Sequence, residues 1–167
     1  MIETTMENLP KSASIESATE EITKRINSEE KCYYLMNNRI IRTHTGRILI
    51  PICYVPDEYA NAGHLEKSGY SGCFYSDDEC KTWNTSEWIK SESVDQLAEP
   101  MVAQGSDDTI HMYMRTGYGY LYYSKSCDDG ITWEQEQQSM LRSPCAPYCI
   151  NYDEYSNKFF AIWDNSF

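Results

Sequence analysis

The chain has 167 residues, with 14 Lys and Arg against 26 Asp and Glu, so its formal net charge is −12. That acidic balance argues against nucleic acid or an anionic membrane as the main partner, while leaving room for an anion-binding pocket. The longest apolar run, Ile48-Leu49-Ile50-Pro51-Ile52-Cys53, is far shorter than the roughly 20 residues of a spanning helix, so no membrane span is expected.

Residues 1–31 are rich in Glu, Ser, Thr and Lys and contain neither an aromatic residue nor a glycine. They read as a poorly packed polar tail or as the end of a preceding unit; Ile15, Ala18, Ile22 and Ile26 also allow one or two amphipathic turns. From Cys32 the texture changes to short apolar runs separated by turn residues. Cys32–Arg42 reads as a strand, His44-Thr45-Gly46 as a turn and Arg47–Val55 as a strand. A polar loop, Asp57–Gly69, leads to strands at Tyr70–Ser76 and Lys81–Trp88. The rhythm repeats at Pro100–Gln104, Thr109–Thr116, Gly119–Lys125 and Ile131–Glu136, and a third round starts at Pro147–Tyr152 and Lys158–Trp163. Fourteen Tyr among 22 aromatic residues suit a β-rich core. The expected class is all-β and antiparallel.

The rhythm has a period. Ser76-Asp77-Asp78-Glu79-Cys80-Lys81-Thr82-Trp83 aligns with Ser126-Cys127-Asp128-Asp129-Gly130-Ile131-Thr132-Trp133, about 50 residues on. Gly46-Arg47-Ile48 corresponds to Asp108-Thr109-Ile110 and then to Asn157-Lys158-Phe159, the longer first interval absorbing the 57–69 loop. Four short strands repeated every ~50 residues make a propeller blade, so two blades and the first half of a third are expected.

The octapeptide fits S-x-D-x-G-x-T-W, the Asp box. Its Ser76 and Ser126, Asp78 and Asp128, Thr82 and Thr132, Trp83 and Trp133, with Gly130, read as structural. The Asp accepts backbone N–H groups within the turn, the Gly tolerates positive φ, and the Trp buries its ring. Cys80 replaces the glycine in the first copy, so that turn is expected to be strained. The adjacent acids Asp77-Asp78 and Asp128-Asp129 are therefore not read as a catalytic pair.

Seven Cys make an odd number, no C-x-x-C pair occurs, and His44, His64 and His111 lie away from Cys at zinc spacing. No metal and no cofactor is expected. No basic segment followed by an apolar stretch opens the chain, so no signal peptide is visible and localisation stays open.

Taken with these boxes, three stretches make the chain resemble the sialidase (neuraminidase) family. Asn37-Asn38-Arg39-Ile40-Ile41 with Gly46-Arg47-Ile48-Leu49-Ile50-Pro51 looks like a blade opening. Glu99-Pro100-Met101-Val102 with Met114-Arg115-Thr116 looks like the blade carrying the family's active-site Glu and one of its three arginines. Ser143-Pro144-Cys145-Ala146-Pro147 with Ala161-Ile162-Trp163-Asp164-Asn165 resembles the start of the next blade.

The resemblance implies a six-bladed β-propeller, of which residues 32–167 supply part, and an exo-α-sialidase activity on sialic-acid-containing glycans. It implies that Glu99 is the carboxylate paired with a nucleophilic Tyr and that Arg115 contacts the substrate carboxylate; Arg39 is a further candidate contact. A guanidinium fork suits a carboxylate because it offers paired, permanently charged donors. Read without the resemblance, Glu99 is a residue held extended before Pro100, and Arg115 a surface residue at a strand end. The family's acid/base Asp, its other two arginines and its Tyr nucleophile have no match here. The chain is thus expected to be an incomplete piece of such a protein and inactive alone. A non-catalytic Asp-box propeller that binds glycan or protein ligands is the alternative.

Overall fold

The computed structural model describes residues 32–35, 39–55, 69–94 and 96–166, so the polar tail and most of the 57–69 loop lie outside the described residues. Among the described residues eleven strands form three sheets, every pairing within them is antiparallel, and no helix occurs. The first sheet holds β1 (Cys32–Leu35), β2 (Ile41–Arg42), β3 (Ile48–Val55), β4 (Tyr70–Ser76) and β5 (Asn84–Thr85). Its order is β1-β3-β4-β5, with β2 also on β3. The second sheet runs β6-β7-β8-β9, formed by Ala98–Gln104, Ile110–Arg115, Tyr120–Ser126 and Gln137–Arg142. The third pairs β10 (Tyr148–Asp153) with β11 (Lys158–Trp163).

Three strands differ from the sequence reading, each for a local reason. Cys32–Arg42 is not one strand. Leu35 pairs with Ile52 and Ile41 with Leu49, a step of six positions on one side against three on the other, so the two pairings cannot belong to one continuous ladder. Arg39 and Ile40 lie outside both strands. Lys81–Trp88 contributes only Asn84–Thr85 to the sheet, because the box turn runs on through Thr82, whose N–H is taken by Asp78. Ile131–Glu136 forms no strand either. The Ile131 and Thr132 N–H groups both point at Asp128, the Glu134 N–H makes a single bond to the Lys125 carbonyl of β8, and the ladder with β8 starts at Gln137.

The repeat read from the sequence recurs in the backbone. Gly46, Asp108 and Asn157 occupy matching hairpin positions and all have positive φ, at 95°, 63° and 55°. The left-handed region closes each hairpin, and only the first copy uses the residue that enters it freely.

Strand alternation directs side chains into two inter-sheet cores. Along β7, Ile110, Met112 and Met114 are fully buried against Leu49, Cys73, Val102 and Leu97, which joins the first sheet to the second. The intervening Tyr113 faces the other way, into a cluster of Met101, Ala103, Leu121, Tyr148 and Ile150 that joins the second sheet to the third. Each large apolar side chain so buried contributes about 1.5–3 kcal/mol. The same alternation turns Arg115, at the end of β7, toward the third sheet.

Candidate functional site

Arg115 pairs with Ala98 across the β6–β7 ladder, and the next register pair is Tyr113 with Met101. Glu99 and Pro100 therefore share one step of the opposite strand, a β-bulge. Pro100 explains the break, since it brings no N–H to the ladder. Glu99 has a φ of 48°, so it is left-handed rather than extended before the proline. For a non-glycine residue that conformation costs about 1–3 kcal/mol and persists only where its surroundings hold it.

The surroundings come from all three sheets. The Glu99 carbonyl accepts hydrogen bonds from Arg39 Nη1 and from the Tyr148 hydroxyl, the latter at 2.8 Å. Arg39 Nη1 also donates to the Pro100 carbonyl at 3.1 Å, and its guanidinium lies over the Tyr148 ring, 5.3 Å from the centroid. Tyr148 reaches the Tyr113 carbonyl at 2.6 Å as well. Burial pushes the Tyr148 phenol well above its ordinary pKa, so it keeps the proton it donates. From β3, the Cys53 thiol donates to the Leu97 carbonyl at 3.5 Å. Burial raises that thiol to about 12, against the opposing pull of the Glu99 backbone and the Arg115 charge.

With its backbone so held, Glu99 sends its carboxylate to Arg115. Oε1 lies 3.0 Å from Nη2, and both side chains are mostly buried. Arg115 Nη1 donates to the Cys145 carbonyl at 2.9 Å, at a second left-handed residue. Glu99 Oε2 and Arg115 Nε are buried and have no hydrogen-bond partner. One acceptor and one charged donor of the pair thus remain without a partner.

The structure brings Glu99, Arg115 and Arg39 together, with Arg39 reaching the group through backbone carbonyls. Tyr148, Cys53 and Cys145 were not singled out by sequence. Tyr148 carried one signal, its alternation with buried Ile150 at the start of β10. Its targets lie 49 and 35 positions away and left no local trace.

The Asp boxes lie at the other end of the sheets. Ser76 pairs with Ile48 and Ser126 with Ile110, whereas Glu99 stands near Arg115, five residues along β7. At ~3.4 Å per residue the separation is about 17 Å. In the first box Ser76 Oγ accepts from the Cys80 N–H at 2.9 Å, and Asp78 accepts from the Thr82 N–H at 2.8 Å and hydroxyl at 2.7 Å. In the second, Ser126 Oγ accepts from Gly130 at 2.9 Å, and Asp128 accepts from the Thr132 N–H at 2.9 Å and hydroxyl at 2.6 Å. Cys80 takes a φ of 65° where Gly130 has 83°. Trp83 packs on Ile48, Ile50 and Ile52, and Trp133 on the cluster containing Ile110, Met112 and Met114, so each covers the same face of its own sheet.

A family model described as a BNR repeat-like domain matches residues 21–153. Among solved structures, a Hadza microbial sialidase aligns with a TM-score of 0.61 at 18% identity, over 76% of this chain and 23% of that one. A mutant NanB sialidase from Streptococcus pneumoniae aligns at 0.55 and 19% identity, over 71% and 17%. A protein of unknown function from Dyadobacter fermentans aligns at 0.53 and 18% identity, over 67% and 29%. At these identities the likeness is one of fold, and the chain spans less than a third of the length of each.

Proposed function

The chain belongs to the BNR repeat-like domain family, and we propose that it carries one wall of the sialic acid pocket of an exo-α-sialidase-like glycoside hydrolase. The observation that carries this reading is the Glu99–Arg115 pair at 3.0 Å, with Glu99 Oε2 and Arg115 Nε buried and unpartnered beside it. Leaving a buried donor unpaired costs about 1–3 kcal/mol, and a ligand acceptor would remove that cost. A sugar carboxylate supplies the acceptor that the Arg115 guanidinium lacks. Glu99 holds Arg115 through Oε1, which leaves Oε2 to accept a proton from an attacking phenol. A phenol nucleophile suits an anionic substrate, since it attacks without charge repulsion.

The chain spans less than a third of the sialidases it resembles in fold, so the other walls of such a pocket would come from outside these 167 residues. Alone, it is expected to bind a sialic-acid-like inhibitor weakly through Arg115 and to turn over no sialoside. Two measurements test this: an NMR titration of the chain with that inhibitor, and hydrolysis of a fluorogenic sialoside by a protein with the complete propeller. Chemical-shift changes centred on Arg115, absent in Arg115→Ala, are expected. Robust hydrolysis by residues 1–167, or a complete propeller inert toward every sialoside, overturns the reading.

One observation favours a second reading. Arg39 commits its Nη1 to two backbone carbonyls and so withholds that donor from a sugar carboxylate, which fits a non-catalytic propeller that holds a glycan or protein ligand without cleaving it. Binding without turnover by the complete propeller would support it.

A further inference from the structure

We propose that Tyr148 is a positioning residue which, together with Arg39, holds Glu99 in its left-handed bulge and thereby aims the carboxylate at Arg115. The proposal rests on the pocket reading above but concerns residues which that reading does not use. Three features carry it.

The first is geometric saturation. A carbonyl oxygen has two lone pairs, and the Glu99 carbonyl faces two donors, the guanidinium of Arg39, which precedes β2, and the Tyr148 hydroxyl from the third sheet, whose proton the Tyr113 carbonyl shares. Left-handed backbone before a proline is disfavoured twice over, by its own Cβ and by the proline ring. Both donors act on the peptide that must turn for Glu99 to relax into extended backbone.

The second is substitution for a missing ladder donor. Pro100 offers no N–H, and the Tyr148 hydroxyl touches carbonyls on both strands that flank the bulge, Glu99 on β6 and Tyr113 on β7. One phenol has one proton, so it serves either strand and ties the two together. The third is rigidity. The Tyr148 ring is buried in the core between the second and third sheets and stacked under Arg39. Its hydroxyl is therefore held in place by packing, and docking of the third sheet becomes a condition for the shape of the Glu99–Arg115 pair.

The variant Tyr148→Phe deletes only the hydroxyl. In the folded chain, the pairing of Arg115 with Glu99 slows rotation of its guanidinium, which ¹⁵N side-chain NMR detects; Arg115→Lys assigns the signal and Glu99→Gln gives the unpaired reference. Tyr148→Phe is expected to raise that rotation rate at least ten-fold, toward the Glu99→Gln value, and to weaken binding of the sialic-acid-like inhibitor about ten-fold. A folded Tyr148→Phe protein with an unchanged Arg115 signal overturns the proposal.

Stability provides a second arm. Glu99→Gly removes the strain that Tyr148 resists, so Tyr148→Phe should cost clearly less in the Glu99→Gly background than in the parent. If Tyr148→Phe does not fold in the parent but folds in the Glu99→Gly background, the proposal stands. An equal cost in both backgrounds, or failure to fold in both, makes the hydroxyl a general packing group and overturns it. Failure of the parent chain to bind the inhibitor sinks the pocket reading alone, since the Arg115 rotation and the stability cycle need no ligand.

Discussion

Leu49 closes over Gly130 so tightly that a Cβ on residue 130 would stand 2.9 Å from a Leu49 methyl. The contact joins the β3 core of one sheet to the box turn of the next, and Arg47 reinforces it by donating to the Asp129 carbonyl at 2.9 Å. Gly130→Ala adds both this clash and the cost of a φ of 83°. The expected loss is about 1–3 kcal/mol, read from the midpoint of denaturant unfolding. Cys80→Ala, at the matching place in the first box, already has its left-handed residue accommodated and should shift the midpoint far less.

Asp128 accepts four hydrogen bonds in its turn, from the Ile131 and Thr132 N–H groups and from the Ser126 and Thr132 hydroxyls. Burial pushes its carboxyl up, but these bonds outweigh it and hold the pKa below the ordinary value. Its folded pKa is thus lower than its unfolded one. The stability it adds is present above the unfolded carboxylate pKa of about 3.9 and is lost as pH falls below it. Asp128→Ala is expected to cost about 1–2 kcal/mol at pH 7 and to flatten the acid limb of a stability–pH curve. An unchanged midpoint at pH 7 would disprove the structural role.

Breaking the Glu99–Arg115 pair from one side leaves a mostly buried charge alone. Arg115→Ala is expected to cost about 2–4 kcal/mol. The double variant Glu99→Ala/Arg115→Ala should be more stable than the sum of the two single losses implies, since it leaves neither charge buried without its partner. A double-mutant cycle by chemical denaturation checks this; strict additivity would show that the two side chains are not coupled.

Cys53, Cys73, Cys80, Cys127, Cys145 and Cys149 are free thiols. Burial raises Cys53 to about 12 and Cys73 further still, so at pH 8 the Cys53 thiolate fraction is on the order of one in ten thousand. Cys127 and Cys149 are exposed. Iodoacetamide should label Cys127 and Cys149 in the folded chain and reach Cys53 and Cys73 only after denaturation, as mass spectrometry would show. Labelling of Cys53 under native conditions would mean that the wall behind Glu99 opens.

Much of the fold was legible because it is periodic and local. The box octapeptide repeats in residue type and the three hairpins in backbone angle, Gly46, Asp108 and Asn157 all taking positive φ. Strand ends were misread where side chains compete with the ladder for N–H groups, as Asp78 does at Thr82 and Asp128 at Thr132. In the site, Glu99 and Arg115 could be named from a motif, yet the positive φ of Glu99 could not. Proline at the next position argues for extended backbone, and what overrides it is tertiary: a guanidinium from 60 positions upstream and a phenol from 49 downstream.

The roughly 17 Å between the boxes and the Glu99 bulge has an evolutionary reading. Substitutions that far apart without shared partners combine nearly additively, so the turn end of the second sheet and its Glu99 end are free to drift separately. A lineage can exchange Glu99 or Arg115 while the serine–aspartate turns keep each sheet closed. The converse also holds: intact boxes record the ancestry of the scaffold and say nothing about whether its chemistry survives.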